Sequence, residues 1–227
     1  MSGKLTFYNA VLCPFAQRVA IALREVGADF ESVEIDLSNK PAWYKDVNPE
    51  TKVPALSVNG VNIAESLVLL ELLNDLYPEK KLLPNDAVKR AEVRFLIEYY
   101  SSNVVSNWYK HLRENANSGS REDYIAVLDK AYRRINDLLL AQSSSGPYFL
   151  GNQLSLADIA VAPFAGRIAA FEKHLLNGYE HEAVKQSPRL AEWFKGLAEL
   201  PSFKDTFFGD KNVVDGIVNR FNYPTSQ

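Results

Sequence analysis

Every strand signal in this 227-residue chain falls before about residue 86, and none follows. Residues 4–9 (KLTFYN) form a short β-rich run. Residues 30–37 alternate, with Val33, Ile35 and Leu37 on one side and Ser32, Glu34 and Asp36 on the other, the pattern of a half-buried strand. Between them Pro14 suits the first position of a helix, where a missing N–H costs nothing. Val19, Leu23 and Val26 then recur at helical spacing and Gly27 is a C-cap candidate, so 15–26 is predicted to be an amphipathic helix. Strand, helix and strand within about 35 residues make a βαβ unit, whose crossover leaves the strands parallel. Asn59-Gly60 separates the apolar runs 55–58 and 61–64, the strongest short-range hairpin signal. Residues 66–76 read as a helix with Leu69, Leu72, Leu73 and Leu76 on one face. The order β-α-β, irregular segment, β-β-α predicts a thioredoxin-like α/β domain over residues 1–78.

Residues 78–85 read as a linker, and 86–227 as an all-helical second domain. Residues 86–114 and 121–142 are predicted as two long helices, followed by a break at 143–147 (SSSGP). Ser155 and Asp158 resemble a capping box, with Asp in place of the usual Glu, opening an apolar helix to Phe171. A further helix spans 187–200 and stops at Pro201, and the tail from Gly209 carries no clear pattern.

The formal charge of −3 leaves no basic footprint for nucleic acid and no polybasic signal for an anionic membrane. The N-terminal apolar run is broken by Asn9 and Pro14 with no cleavage site after it, so no signal peptide is expected. Residues 154–171 are interrupted by Asp158, Pro163 and Arg167 and are expected to be a buried core helix, not a span. One cysteine permits no intramolecular disulfide, which points to a reducing, cytoplasmic setting.

That cysteine, Cys13, is the candidate nucleophile. A lone cysteine is more often a small buried hydrophobe, but three features favour chemistry here. Cys13 ends a strand, precedes a helix N-terminus, and is followed by Pro14, which fixes the helix entry. Free N–H groups and the helix dipole favour a negative charge there, so a depressed thiol pKa is expected. Ala16 stands where a dithiol oxidoreductase carries its second cysteine, so an external thiol must resolve any mixed disulfide.

Val53-Pro54 precedes the third strand. A cis bond there would expose the Val53 backbone edge beside Cys13 for pairing with a peptide-like ligand; the plain alternative is a turn proline. Ser66 reads as an N-cap, and the same helix terminus can hold a carboxylate while Glu65 holds an ammonium. Lys40 could take a second carboxylate, or be merely a solvated charge. His111, His174 and His181 lack metal-ligand spacing, so no metal is expected, and there is no dinucleotide, P-loop or nucleophile-elbow motif. Among the aromatics, Tyr100 and Trp108 on the long helix, with Phe171, are candidates for an apolar pocket facing Cys13.

With these residues in hand, the sequence resembles the glutathione transferases over nearly its whole length. The likeness rests on Cys13-Pro14-Phe15-Ala16-Gln17-Arg18, Asn39-Lys40-Pro41-Ala42-Trp43, Lys52-Val53-Pro54-Ala55-Leu56, Glu65-Ser66, and Leu154-Ser155-Leu156-Ala157-Asp158-Ile159. A cysteine at position 13 points to the omega class, with the plant lambda class close by. The resemblance implies glutathione as co-substrate in the first domain, held by Phe15, Lys40, Val53, Pro54 (cis), Glu65 and Ser66, and a mixed disulfide at Cys13. It implies a homodimer and a thiol transferase that also reduces dehydroascorbate or glutathionyl-ketones, with small hydrophobic or glutathionylated second substrates. The alternatives are a conjugating transferase and a non-catalytic binder of hydrophobic small molecules.

Overall fold

The computed structural model describes residues 4–114 and 120–225. Four strands, β1 (Leu5–Asn9), β2 (Phe30–Glu34), β3 (Ala55–Val58) and β4 (Val61–Ala64), form one sheet in the order β2-β1-β3-β4. β1 and β2 run parallel, with Leu5 opposite Phe30, while β1–β3 and β3–β4 are antiparallel. At the β3–β4 turn Asn59 and Gly60 both take positive φ (53° and 83°), the requirement that makes Asn-Gly a hairpin signal. α1 (Pro14–Val26) makes the crossover and buries Val19, Leu23 and Val26. It ends with Gly27 at φ 67°, whose N–H donates to Arg24 O while Ala28 N donates to Leu23 O. The short α2 (Tyr44–Val47) lies in the irregular segment, and α3 (Ser66–Leu76) closes the domain against α1.

Three expectations in this half need correction. β2 stops at Glu34, and although Ile35 is buried, Leu37 is exposed. The Asp36 carboxylate accepts from Ser38 N and Ser38 Oγ at 2.8 and 2.6 Å, a local turn that outcompetes the ladder. On α3 the buried leucines are 69, 70 and 73, while Leu72 is half-buried and Leu76 exposed, because the helix meets both α1 and the second domain. Ser66 is the first helical residue and Glu65 occupies the N-cap position.

The second half comprises α4 (Ala87–Tyr100), α5 (Ser106–Glu114), α6 (Ser120–Gln142), α7 (Leu156–Leu175), α8 (Glu182–Lys185), α9 (Pro188–Glu199), α10 (Pro201–Thr206) and α11 (Asp210–Phe221). The single helix expected over 86–114 is divided by a π-helical segment, Ser101–Val105. Side chains there compete for helix carbonyls: Ser101 Oγ donates to Ile97 O, Asn103 Nδ2 to Tyr99 O and Asn107 Nδ2 to Asn103 O, at 2.8, 3.0 and 2.8 Å. α7 runs four residues past Phe171, Pro201 opens a helix as well as ending one, and the tail contains α11.

The capping box forms and does more than cap. Asp158 is fully buried, and its carboxylate accepts from Ser155 N, Ser155 Oγ, Phe149 N and Trp193 Nε1 at 2.7–2.8 Å. That ties α7 to α9 and to the loop after α6. Among the described residues no helix is long and apolar enough to cross a membrane.

The halves meet where α1 packs on α7. Arg18 is buried there, donating from Nε to Ala160 O (2.8 Å) and from Nη1 to Ser66 Oγ (3.3 Å), with its guanidinium over the rings of Phe15 and Phe164. Burial lowers its pKa to about 10, which still leaves it cationic at neutral pH.

Candidate active site

Cys13 is the N-cap residue of α1 (φ −84°, ψ 117°), at the end of the loop that leaves β1. Its backbone N–H donates to Ala10 O at 2.8 Å and its carbonyl accepts from Gln17 N at 3.0 Å, so the residue is anchored on both sides. The thiol is half-buried, with Sγ 3.8 Å from Val53 O. The Val53–Pro54 bond is cis, as the resemblance implies. The preceding carbonyl, Lys52 O, is held by Tyr44 Oη and Asn48 Nδ2, both at 2.8 Å, so α2 fixes the segment that faces the sulfur.

The electrostatics reverse one expectation. Burial pushes the Cys13 thiol up from its ordinary pKa, and this outweighs the pull downward from the N–H groups of Ala16 and Phe15 and from the charges of Arg167 and Arg220. The helix terminus acts in the foreseen direction, but desolvation of the thiolate is larger. Alkylation of Cys13 by iodoacetamide is therefore expected to have its pH midpoint above about 8.5, the value of a free cysteine. A midpoint below that value would show that the helix terminus and arginines prevail over burial.

Glu65 is exposed and sits at φ 70°, ψ 111°, a backbone state that a residue with a side chain rarely adopts and that recurs at ligand-binding sites. Ser66 is buried and its hydroxyl accepts from Arg18, so it is joined through that guanidinium to the helix that Cys13 begins. Lys40 is exposed on the loop between β2 and α2, and among the described residues neither Lys40 nor Glu65 forms an ion pair. Phe15 is 40% exposed and meets Phe164 edge-on at 5.2 Å.

The aromatic pocket takes a different form from the one expected. Tyr100 and Phe171 are wholly buried and Trp108 is 2% exposed, so all three are core residues that line no open cleft. They pack edge-on, Tyr100 against Trp193 and Trp108 against Phe171. The side chains that the second domain turns toward the thiol are instead Tyr109 on α5, Arg167 on α7 and Arg220 on α11, each of which acts electrostatically on Cys13 or is acted on by it. Arg167 is buried: Nη1 donates to Gln17 Oε1 and, at 2.8 Å, to Pro163 O, and Nη2 donates to Leu12 O at 3.3 Å. It thus fastens the nucleophile's loop to the second domain. Its only sequence signal is that it is the one basic residue within the apolar stretch 154–171. Among the described residues there is no group of three or more side chains suited to a metal ion.

A thioredoxin-like sheet fused to a helical domain, with one cysteine beside a cis-proline edge, defines a two-domain thiol protein of the thioredoxin superfamily. Comparison with known proteins places it more closely. The profiles described as "Glutathione S-transferase, N-terminal domain" and "Glutathione S-transferase, C-terminal domain" match residues 7–81 and 118–196. Glutathione S-transferase omega-1 of Rattus norvegicus is 31% identical over 216 residues, covering 94% of this chain and 84% of that protein. Glutathione S-transferase L3 of Arabidopsis thaliana is 33% identical over 222 residues, covering 96% and 88%. The crystal structure of glutathione transferase Omega 1C from Trametes versicolor superposes with a TM-score of 0.79 at 35% identity, covering 97% of each chain. The chain belongs to the glutathione S-transferase family, with omega-class and lambda-like proteins among its relatives.

Proposed function

We propose that this glutathione transferase is a thiol transferase, a deglutathionylating reductase in which Cys13 itself forms the mixed disulfide. The observation that carries the reading is a lone thiol at a helix N-terminus, 3.8 Å from the Val53 carbonyl, with Ala16 where a resolving cysteine would stand. The Cys13 thiolate attacks the glutathione sulfur of a glutathionylated substrate. A Cys13–glutathione disulfide forms, and the substrate sulfur leaves with the electron pair of the broken bond and takes up a proton. A second glutathione thiolate then attacks the glutathione sulfur of that disulfide, releasing oxidised glutathione and the Cys13 thiolate. The raised thiol pKa leaves fewer thiolates at neutral pH but makes each a stronger nucleophile. Dehydroascorbate and glutathionyl-ketones fall within the same two-glutathione chemistry.

In this reading Val53 offers its backbone edge to the peptide-like body of glutathione, Phe15 and cis-Pro54 shape the floor, and Lys40 takes the glycine carboxylate. The free N–H groups at the start of α3 and the Ser66 hydroxyl take the γ-glutamyl carboxylate, and Glu65 its ammonium. Glu65→Ala and Ser66→Ala are each expected to weaken glutathione binding by about 1–3 kcal/mol, the cost of leaving a charged group short of a partner. Calorimetry reads this directly, and unchanged affinity in both folded variants would move the glutathione site elsewhere. The protein acts as a homodimer in the cytoplasm; the exposed apolar side chains Val68 on α3 and Val88 and Phe95 on α4 support the dimer as surface that a partner would cover.

A further inference from the structure

A cavity lies behind the catalytic machinery, on the far side of α7. α7 turns Ala160, Pro163, Phe164 and Arg167 toward the first domain, and at 100° per residue the opposite face carries Ala162, Ala165, Ala169 and Glu172. That opposite face, with α6, α8, α9 and the loop before α8, encloses a cavity of about 620 Å³, within the range of small-molecule sites. Its walls are apolar and aromatic, including Tyr132, Tyr179 and Phe194. No side chain assigned to glutathione or to the thiol lines it.

The charges around the cavity are one-sided. Both rim lysines are engaged, Lys173 with Asp210 and Lys185 with Glu182, at 3.0 Å each. Glu180 forms no ion pair among the described residues. In the wall, His181 is buried between two carboxylates, with Nε2 3.0 Å from Glu172 Oε1 and Nδ1 3.3 Å from Asp129 Oδ1. Two carboxylates and one imidazole leave this cluster net negative in either state of the ring. Glu172 Oε1 also accepts from Tyr124 Oη at 2.9 Å, while Oε2 makes no hydrogen bond among the described residues. An apolar cavity with unbalanced negative charge and aromatic faces is complementary to an organic cation.

We infer that the helical domain holds a second binding site, independent of the thiol chemistry, for a small amphiphilic amine with an aromatic body. The body fills the space between α7 and α9, and the ammonium lies against Glu172, Glu180 and the ring of Tyr179. The site stands whether or not Cys13 acts as proposed.

The test is fluorescence titration of the full chain, saturated with glutathione, with 1-naphthylmethylamine and with its acidic counterpart 1-naphthylacetate. The amine is expected to bind at one site per chain and at least about tenfold more tightly than the acid, as one charged contact of about 1.4 kcal/mol or more requires. Ala169→Trp fills the cavity from an exposed position and is expected to abolish amine binding. Glu180→Gln, at the open rim, is expected to weaken it about threefold to tenfold, and glutathione turnover should be unchanged in both variants. Equal binding of acid and amine, binding that survives Ala169→Trp, competition with glutathione, or no amine binding at millimolar concentration would each overturn the inference.

Discussion

Replacing Cys13 by serine is expected to reduce thiol transfer and dehydroascorbate reduction to background. Both reactions require a group that forms and releases a disulfide, and a hydroxyl does neither. Cys13 is also the chain's only cysteine, so no neighbour can substitute. Glutathione should still bind, because Lys40, Val53, Glu65 and Ser66 are untouched. The serine hydroxyl would stand at the same N-terminus of α1 and could donate a hydrogen bond to the glutathione sulfur, favouring its thiolate. Weak conjugation to an aryl halide is therefore expected to appear or rise. Both reactions are measured side by side in wild type and variant, with folding checked by circular dichroism. Full thiol transfer in the folded serine variant would remove Cys13 from the mechanism.

The second large effect is on stability. Asp158→Ala is expected to destabilise the protein by about 3–5 kcal/mol, the range for removing one side of a buried, charged hydrogen-bond network. Four buried donors, Ser155 N, Ser155 Oγ, Phe149 N and Trp193 Nε1, lose their acceptor at once. Burial raises the Asp158 pKa while these donors pull it back, so they act against the desolvation of the carboxylate. For a chain of this size the loss corresponds to a fall in Tm of roughly 10 °C. A fall of under about 2 °C would mean that the loop after α6 relaxes to re-satisfy those donors.

What was legible in the sequence was local. Asn59-Gly60 demands positive φ at both positions, and only one kind of turn meets that demand. Pro14 and Gly27 bracket α1, and Ser155 with Asp158 announces the start of α7, because each signal and its partner lie within a few residues. That Cys13 would face Val53 was legible because strand ends and helix starts converge at one edge of such a sheet, and the two lie 3.8 Å apart.

What escaped the sequence depends on contacts made across the chain. The sign of the Cys13 pKa shift follows from how far the folded chain buries the thiol, which no local pattern encodes. Arg167 reaches Leu12 and Gln17 across some 150 residues, so it read only as a blemish in an apolar helix. Tyr100 and Trp108 lie on the expected stretch but both are buried in the core, Tyr100 at the end of α4 and Trp108 on α5 beyond the π segment at Ser101–Val105, while Tyr109 remains half-exposed beside the arginines. The opposite face of α7 carried no motif at all, because a cavity is defined by what the neighbouring helices leave unfilled.

The central claim is that Cys13 carries glutathione covalently, and intact mass tests it most directly. Wild-type protein is incubated with oxidised glutathione, desalted and weighed, then exposed to excess reduced glutathione and weighed again. The account predicts one glutathionyl adduct after the first step and its complete removal after the second. A protein that iodoacetamide alkylates at Cys13, yet that takes up no glutathione under these conditions, would contradict it.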